Sequence, residues 1–236
     1  MQINGEVVFV TGSNRGLGKA LVDALKNRGA AKIYASSRSG AAIPGTVPLQ
    51  LDITNPIEVM AAARVATDTT ILINNAGINF NAPLLNSLNE HHAKLEMDVN
   101  YFGTLAMCRA FAPILGKNGG GTIVNMASVG GRVSFPVMGS LCASKAALIS
   151  LSQSIRAQLT QQQTQVVLVM PGPIDTEMSK YVPMEKANPA DVAESILDAI
   201  ENGVEDLYPD AMAQFIAQQL AADYKAVEKS VAVYLP

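Results

Sequence analysis

Cysteine is scarce in this sequence, and the two present, Cys108 and Cys142, define no disulfide framework or metal-ligand motif. No metal site is expected, and a reducing cytoplasm is the simplest compartment. Charge is sparse as well. Only 16% of residues are charged against 49% hydrophobic, which excludes an intrinsically disordered chain. The formal net charge of -3 gives no basic face for a nucleic acid or an anionic membrane surface. The opening MQINGEVVFV has no basic n-region ahead of a long apolar core, so no signal peptide is expected. No apolar run reaches bilayer length. Repeats and low-complexity segments are absent, and the one linker-like stretch, Ser179 to Ala187, is short. The 236 residues are read as a single domain spanning 1–236.

What is present is an alternation of short apolar strands and amphipathic helices. EVVFVTG (6–12) reads as a strand buried on both faces. The helix after it carries Leu17, Ala20, Leu21 and Leu25 at helical spacing, with Gly29 as its stop. AKIYASSR, TVPLQLDI, TTILINNAG, GTIVNMAS and TQVVLVMPG supply five more strands. Asn55, Pro56 and Glu58 predict an N-cap, a first-turn proline and a capping box. A long helix is predicted from about Pro83 past Ala110, another after Asn188-Pro189, and a last one over about Asp210 to Lys229. Repeated β-α units imply right-handed crossovers and a doubly wound parallel α/β sheet with helices on both faces. Ligands of such sheets bind beyond the carboxyl ends of the strands.

The first strand ends in TGSNRGLG, with Gly12, Gly16 and Gly18 at G-x-x-x-G-x-G spacing. Glycines there permit a tight turn and close approach of a pyrophosphate, and the helix N-terminus behind offers unpaired N–H groups. A glycine turn alone also suits a simple helix entry. Its place between the first strand and a helix favours dinucleotide binding.

This spacing resembles the short-chain dehydrogenase/reductase family, and further motifs follow in the family's order. Asp52 in LQLDIT, NNAG at 74–77, Asn100 in DVNYFG, Ser128 in NMAS and PGPIDT at 171–176 all match. The resemblance implies a Rossmann-like fold, with a cofactor half over about 1–125 and a catalytic and substrate half over about 126–236. It also implies hydride transfer between a nicotinamide and a carbonyl or alcohol. The implied cofactor-binding set is Gly12, Ser13, Asn14, Arg15, Gly16, Leu17, Gly18, Ser37, Arg38, Asp52, Ile53, Asn75, Ala76, Gly77, Lys145, Pro171, Gly172, Ile174 and Thr176. In that set Asp52 faces the adenine amino group and PGPIDT receives the carboxamide. The second strand ends in ASSRSG without the acid that accepts from a ribose 2′-OH in NAD-binding relatives. Ser37, Arg38 and Arg15 suit a 2′-phosphate instead, so NADP(H) is expected over NAD(H).

The family's catalytic set implies Asn100, Ser128 and Lys145, together with a tyrosine four residues before the lysine on the same helix face. That position is Leu141. The family's usual interval of thirteen residues from serine to tyrosine also runs from Ser128 to Leu141, so both registers place leucine where the proton donor belongs. Leucine has no ionisable proton, and losing a positioned general acid costs roughly 10²–10⁴-fold in rate. Tyr181, in the segment where the family keeps its lid, and a water held by Asn100 and Lys145 are the conceivable stand-ins. Cys142 and Tyr101 are expected to point elsewhere, and His91 and His92 read as a solvated pair. Met138 and Met178 are expected to make the pocket apolar.

The expected function is an impaired NADP(H)-dependent oxidoreductase acting on an apolar small molecule. Two other readings stand beside it. One is different chemistry in the same pocket, such as enone C=C reduction or redox-neutral addition or isomerisation. The other is a non-catalytic NADPH-binding sensor or partner subunit. The family resemblance further implies a homodimer or homotetramer, consistent with the apolar circumference of AMCRAFAPIL and AALISLSQSI.

Overall fold

The computed structural model describes residues 1–85 and 87–233. Asn86, inside the stretch predicted to open the long helix, and the last three residues of the 1–236 span lie outside the described residues. In chain order the elements are β1 (Val7–Thr11), α1 (Gly16–Asn27), β2 (Lys32–Ser37), β3 (Val47–Gln50), α2 (Pro56–Val65), β4 (Ile71–Asn74), α3 (His92–Met97), α4 (Thr104–Lys117), β5 (Gly121–Met126), α5 (Gly139–Leu159), β6 (Thr164–Val169), α6 (Pro189–Glu201), β7 (Asp206–Leu207), α7 (Ala211–Ala222) and α8 (Tyr224–Val231). The strands form one sheet in the order β3-β2-β1-β4-β5-β6-β7. Every pairing is parallel.

Successive strand residues face opposite layers, and both layers are apolar, which is why the strands read as continuous hydrophobic runs. Val8 and Val10 pack on one face with Leu21 and Leu25 of α1 and Ile196 and Ile200 of α6. Phe9 packs on the other with Val59 of α2, Phe111 and Leu115 of α4, and Leu148 of α5. The order reverses between β1 and β4, so the turns after these two strands open a crevice at the carboxyl edge.

Four local predictions are corrected. The long helix begins at His92, not near Pro83, and it contains a π-helical segment at Asp98–Gly103 before continuing as α4. The packing at this segment is close: a Cβ on Gly103 would lie 2.7 Å from Cγ1 of Ile53. The predicted 210–229 helix breaks at Asp223, whose extended backbone ends α7 and whose carboxylate caps α8 by accepting from the N–H of Ala226. A seventh strand, β7, is too short to give a hydrophobic pattern. Asn55 caps α2 through the N–H of Ile57 as expected, but Glu58 does not complete the reciprocal box. It accepts instead from the backbone N–H of Asp52 and from the side chain of Asn55.

Candidate active site

The turns after β1 and β4 are tied together by two side chains. Thr11 Oγ1 accepts from the N–H groups of Asn75 and Ala76, each at 3.0 Å, and Asn75 Nδ2 donates to the carbonyls of Thr11 and Gly12, also at 3.0 Å. Gly12 and Gly16 hold φ of 65° and 52°, conformations that penalise a Cβ. Gly18 has a different reason to be glycine: its Cβ would sit 2.1 Å from the carbonyl oxygen of Gly12. Behind this turn α1 starts without a side-chain cap, Arg15 being extended at the N-cap position. The first N–H groups of the helix therefore face the crevice unpaired by any cap, an arrangement suited to a phosphate.

One cavity of about 550 Å³ runs along the carboxyl edge of the sheet. It gathers all the sequence-predicted site residues except Ser13 and Asn100. Gly12, Asn14, Arg15, Gly16, Leu17 and Gly18 line it from the first turn, Ser37 and Arg38 from the end of β2, and Asp52 and Ile53 from beyond β3. Asn75, Ala76 and Gly77 come from the turn after β4, Ser128, Leu141 and Lys145 from β5 and α5, and Pro171, Gly172, Ile174 and Thr176 from beyond β6. Arg15 and Arg38 are exposed at the same end. Asp52 already accepts from the N–H and hydroxyl of Thr54 through Oδ1. Ser13 is buried, with its backbone N–H and its hydroxyl both donating to the carbonyl of Ser36. It braces β1 against β2 behind the cavity wall.

Asn100 is fully buried in the π-helical segment. Its Nδ2 donates to the carbonyl of Ile78 at 3.0 Å and to Ser144 Oγ at 2.9 Å, and its Oδ1 accepts from the N–H of Ile78 at 2.9 Å. One helical turn earlier, buried Glu96 accepts from the N–H of Phe80 at 2.7 Å. Two adjacent side chains thus pin the segment 78–80 that walls the cavity. Glu96 carries no motif signature in the sequence; only its i−4 spacing from Asn100 hints at the shared role. Asp210, read in the sequence only as the start of the last helix, accepts from the N–H of Gly172 at 2.9 Å while also capping α7.

At the other end of the cavity Ser128 Oγ accepts from the N–H of Gly130 at 3.0 Å and donates to the carbonyl of Pro171 at 3.4 Å. Lys145 is buried and donates from Nζ to the carbonyl of Met126 at 2.6 Å. Burial pulls its pKa down to about 8, partly opposed by the charge of Glu96. Leu141 stands on the same wall, one turn before Lys145, with 8% of its surface exposed. The wall continues with Phe80, Phe135, Met138, Met178, Met184 and Met212, so this end is apolar and its thioethers are adaptable.

Among the other tyrosines, Tyr181 is 84% exposed and off the cavity wall, and Tyr101 packs towards the core beside α4. Cys142 is buried among Val129, Val133 and Phe135, as its rotation from Lys145 predicts. His91 is exposed, but His92 is not simply solvated: its ring stacks on Phe80 with centroids 4.3 Å apart, on a residue that walls the cavity. Among the described residues no group of His, Cys, Asp and Glu side chains is placed to hold a metal ion, and no helix is long and apolar enough to cross a membrane.

The chain matches the short chain dehydrogenase family profile over residues 6–187. It is 30% identical over 238 residues to Dehydrogenase/reductase SDR family protein 7-like of Anopheles gambiae, covering 87% of this chain and 75% of that one. It is 33% identical over 189 residues to galactitol 2-dehydrogenase of Agrobacterium fabrum, covering 75% and 73%. A crystal structure of a short chain dehydrogenase from Burkholderia cenocepacia J2315, in complex with NADP, is similar with a TM-score of 0.95 and 47% identity over 98% of this chain and 99% of that one. The chain belongs to the short-chain dehydrogenase/reductase family, an oxidoreductase family acting on small molecules.

Proposed function

We propose that this chain is an NADP(H)-dependent oxidoreductase interconverting an apolar carbonyl and its alcohol, slowed by leucine at the position of the family's tyrosine. The observation that carries this reading is the shared wall: Ser128, Leu141 and Lys145 lie together at one end of a cavity whose other end holds the uncapped start of α1. The crevice fits the dinucleotide. Gly12, Gly16 and Gly18 leave the backbone bare, and Ser37, Arg38 and Arg15 offer neutral and cationic donors with no acid at the end of β2. The similar Burkholderia structure contains NADP. When bound, NADP(H) supplies or accepts a hydride.

The chain's own residues do the rest. Lys145 holds a hydroxyl-bearing group of the cofactor, Ser128 donates to the substrate oxygen, and Asn100 and Glu96 fix the wall at Ile78 and Phe80. Phe80, Met138, Met178, Met184 and Met212 exclude water from an apolar substrate.

The same reading treats residues 1–236 as one catalytic domain, in a reducing compartment such as the cytoplasm that keeps Cys108 and Cys142 as free thiols. It also pairs the chain with copies of itself as a homodimer or homotetramer, for which the exposed Leu95 and Phe102 beside α4 supply apolar surface. Leu141 favours one second reading, reduction of an enone C=C bond, where solvent can supply the proton at carbon.

The test is titration with NADPH and NADH, followed by NADPH oxidation against panels of apolar ketones, aldehydes and enones. NADPH binding tighter than NADH, with slow carbonyl turnover, is the expected result. Turnover of enones alone selects the second reading. Tight NADPH binding with no turnover, even after tyrosine is restored at 141, replaces both with a sensor role.

A further inference from the structure

Leu141 leaves a carbonyl reaction without its usual acid, and the wall itself offers a replacement. The ionisable side chains lining the cavity are Arg15, Arg38, Asp52, Lys145 and Glu177. Arg15, Arg38 and Asp52 lie at the end where β1, β2 and β3 finish. Glu177 is exposed on the segment after β6. Lys145 alone is buried at the end shared by Ser128 and Leu141.

Its chemistry there is incomplete. An ammonium has three N–H donors. One goes to the carbonyl of Met126, and no other hydrogen bond is made by Nζ among the described residues. A leucine at 141 ends short of the reach of a phenol, and Leu141 and Lys145 line the same cavity wall. The other candidate donors are too weakly acidic or misplaced. The Ser128 hydroxyl can bond the substrate oxygen but, as an alcohol, does not give up its proton near neutral pH; Cys142 is packed away from the wall, and Tyr181 stands in solvent.

We propose that Lys145 is itself the acid that protonates the substrate oxygen in this chain, directly or through one water. This rests on the oxidoreductase reading above. The carbonyl carbon gains a hydride from bound NADPH, and its oxygen takes a proton from Nζ. The nitrogen keeps the electron pair of the broken N–H bond as a neutral amine, which water reprotonates. In alcohol oxidation the amine accepts the proton.

Burial brings the ammonium to about 8, close enough to neutrality to give a proton and take one back. Glu96, reaching from α3, is the charge acting on it. Met126 and Gly77, which lie beside its Nζ, bring no ionisable side chain.

Three measurements test this. For carbonyl reduction, kcat/KM of the wild-type chain should be level below pH about 8 and fall about tenfold per pH unit above it. K145R keeps a cation but removes a proton that can be given up near neutrality. Assayed at saturating NADPH, it should lose roughly 100-fold or more in kcat and show no break near 8. K145Q serves if K145R is misfolded by circular dichroism. Independently of turnover, NMR titration of lysine-ε-¹³C-labelled protein without nucleotide should show one resonance, missing in K145R, with a midpoint near 8.

A pH-independent rate, a K145R rate within threefold of wild type, or a midpoint above 10 overturns the proposal. If the wild-type chain is silent while L141Y turns over, this inference falls and the oxidoreductase reading stands. If both are silent, the reading itself falls.

Discussion

Asn100 grips Ile78 by both its peptide groups, donating to the carbonyl at 3.0 Å and accepting from the N–H at 2.9 Å. Asn100→Ala would leave both backbone groups of Ile78 without these partners in a partly buried place, at a cost of about 1–3 kcal/mol. Urea unfolding should show that loss. NADPH affinity should weaken with it, because Ile78 follows Gly77 directly on the cavity wall.

Placing tyrosine at 141 is expected to raise kcat/KM for carbonyl reduction by about 100-fold or more. Leu141 faces the cavity, so the larger ring has room and the NADPH dissociation constant should change less than about threefold. Steady-state kinetics on wild type and L141Y side by side read both quantities.

The cofactor preference should sit on two exposed cations. Arg38→Ala and Arg15→Ala each remove a donor able to make a charge-assisted hydrogen bond, worth about 1.5–3 kcal/mol. Each should raise the NADPH dissociation constant by about 10-fold or more, with NADH binding unchanged. Equal losses for both nucleotides would remove the 2′-phosphate from the account.

Gly18→Ala places a Cβ 2.1 Å from the carbonyl of Gly12 and 2.6 Å from Nδ2 of Asn75. Neither the backbone nor the pinned asparagine can give way cheaply, so stability should fall by about 1–3 kcal/mol. NADPH binding should fall too, since the shift propagates into the glycine turn. Gly5→Ala is a useful contrast, since its Cβ meets nothing within 4 Å. It should show only the penalty of its positive φ, seen as a smaller shift in thermal melting.

Lys145 also predicts a pH dependence of stability. The folded ammonium loses its proton near 8 and the unfolded one near its ordinary 10.5. Between those values the unfolded chain holds more protons, so raising the pH favours the folded state, by at most about 1.4 kcal/mol per pH unit. The difference in unfolding free energy between wild type and K145M should therefore rise from pH 8 to 10. A constant difference would show that burial leaves the ammonium unshifted.

The α/β layering is legible from residue order alone, because strands buried on both faces must be apolar throughout and helices covering them must be apolar on one stripe. Val8, Phe9 and Val10 illustrate the first, and Leu17, Leu21 and Leu25 the second. The glycine turn is equally local, a matter of residue type at fixed spacing. Which polar side chains serve the cavity and which serve the frame is set by packing between distant elements. Ser13 carries the right sequence position and turns to Ser36, while Asn100 acts through Ile78. Glu96 and Asp210 lie outside every motif, yet they hold Phe80 and Gly172. A buried hydrogen-bonding group must find a partner wherever the fold brings one near. That partner is set by packing across elements many residues apart, and no local spacing encodes it.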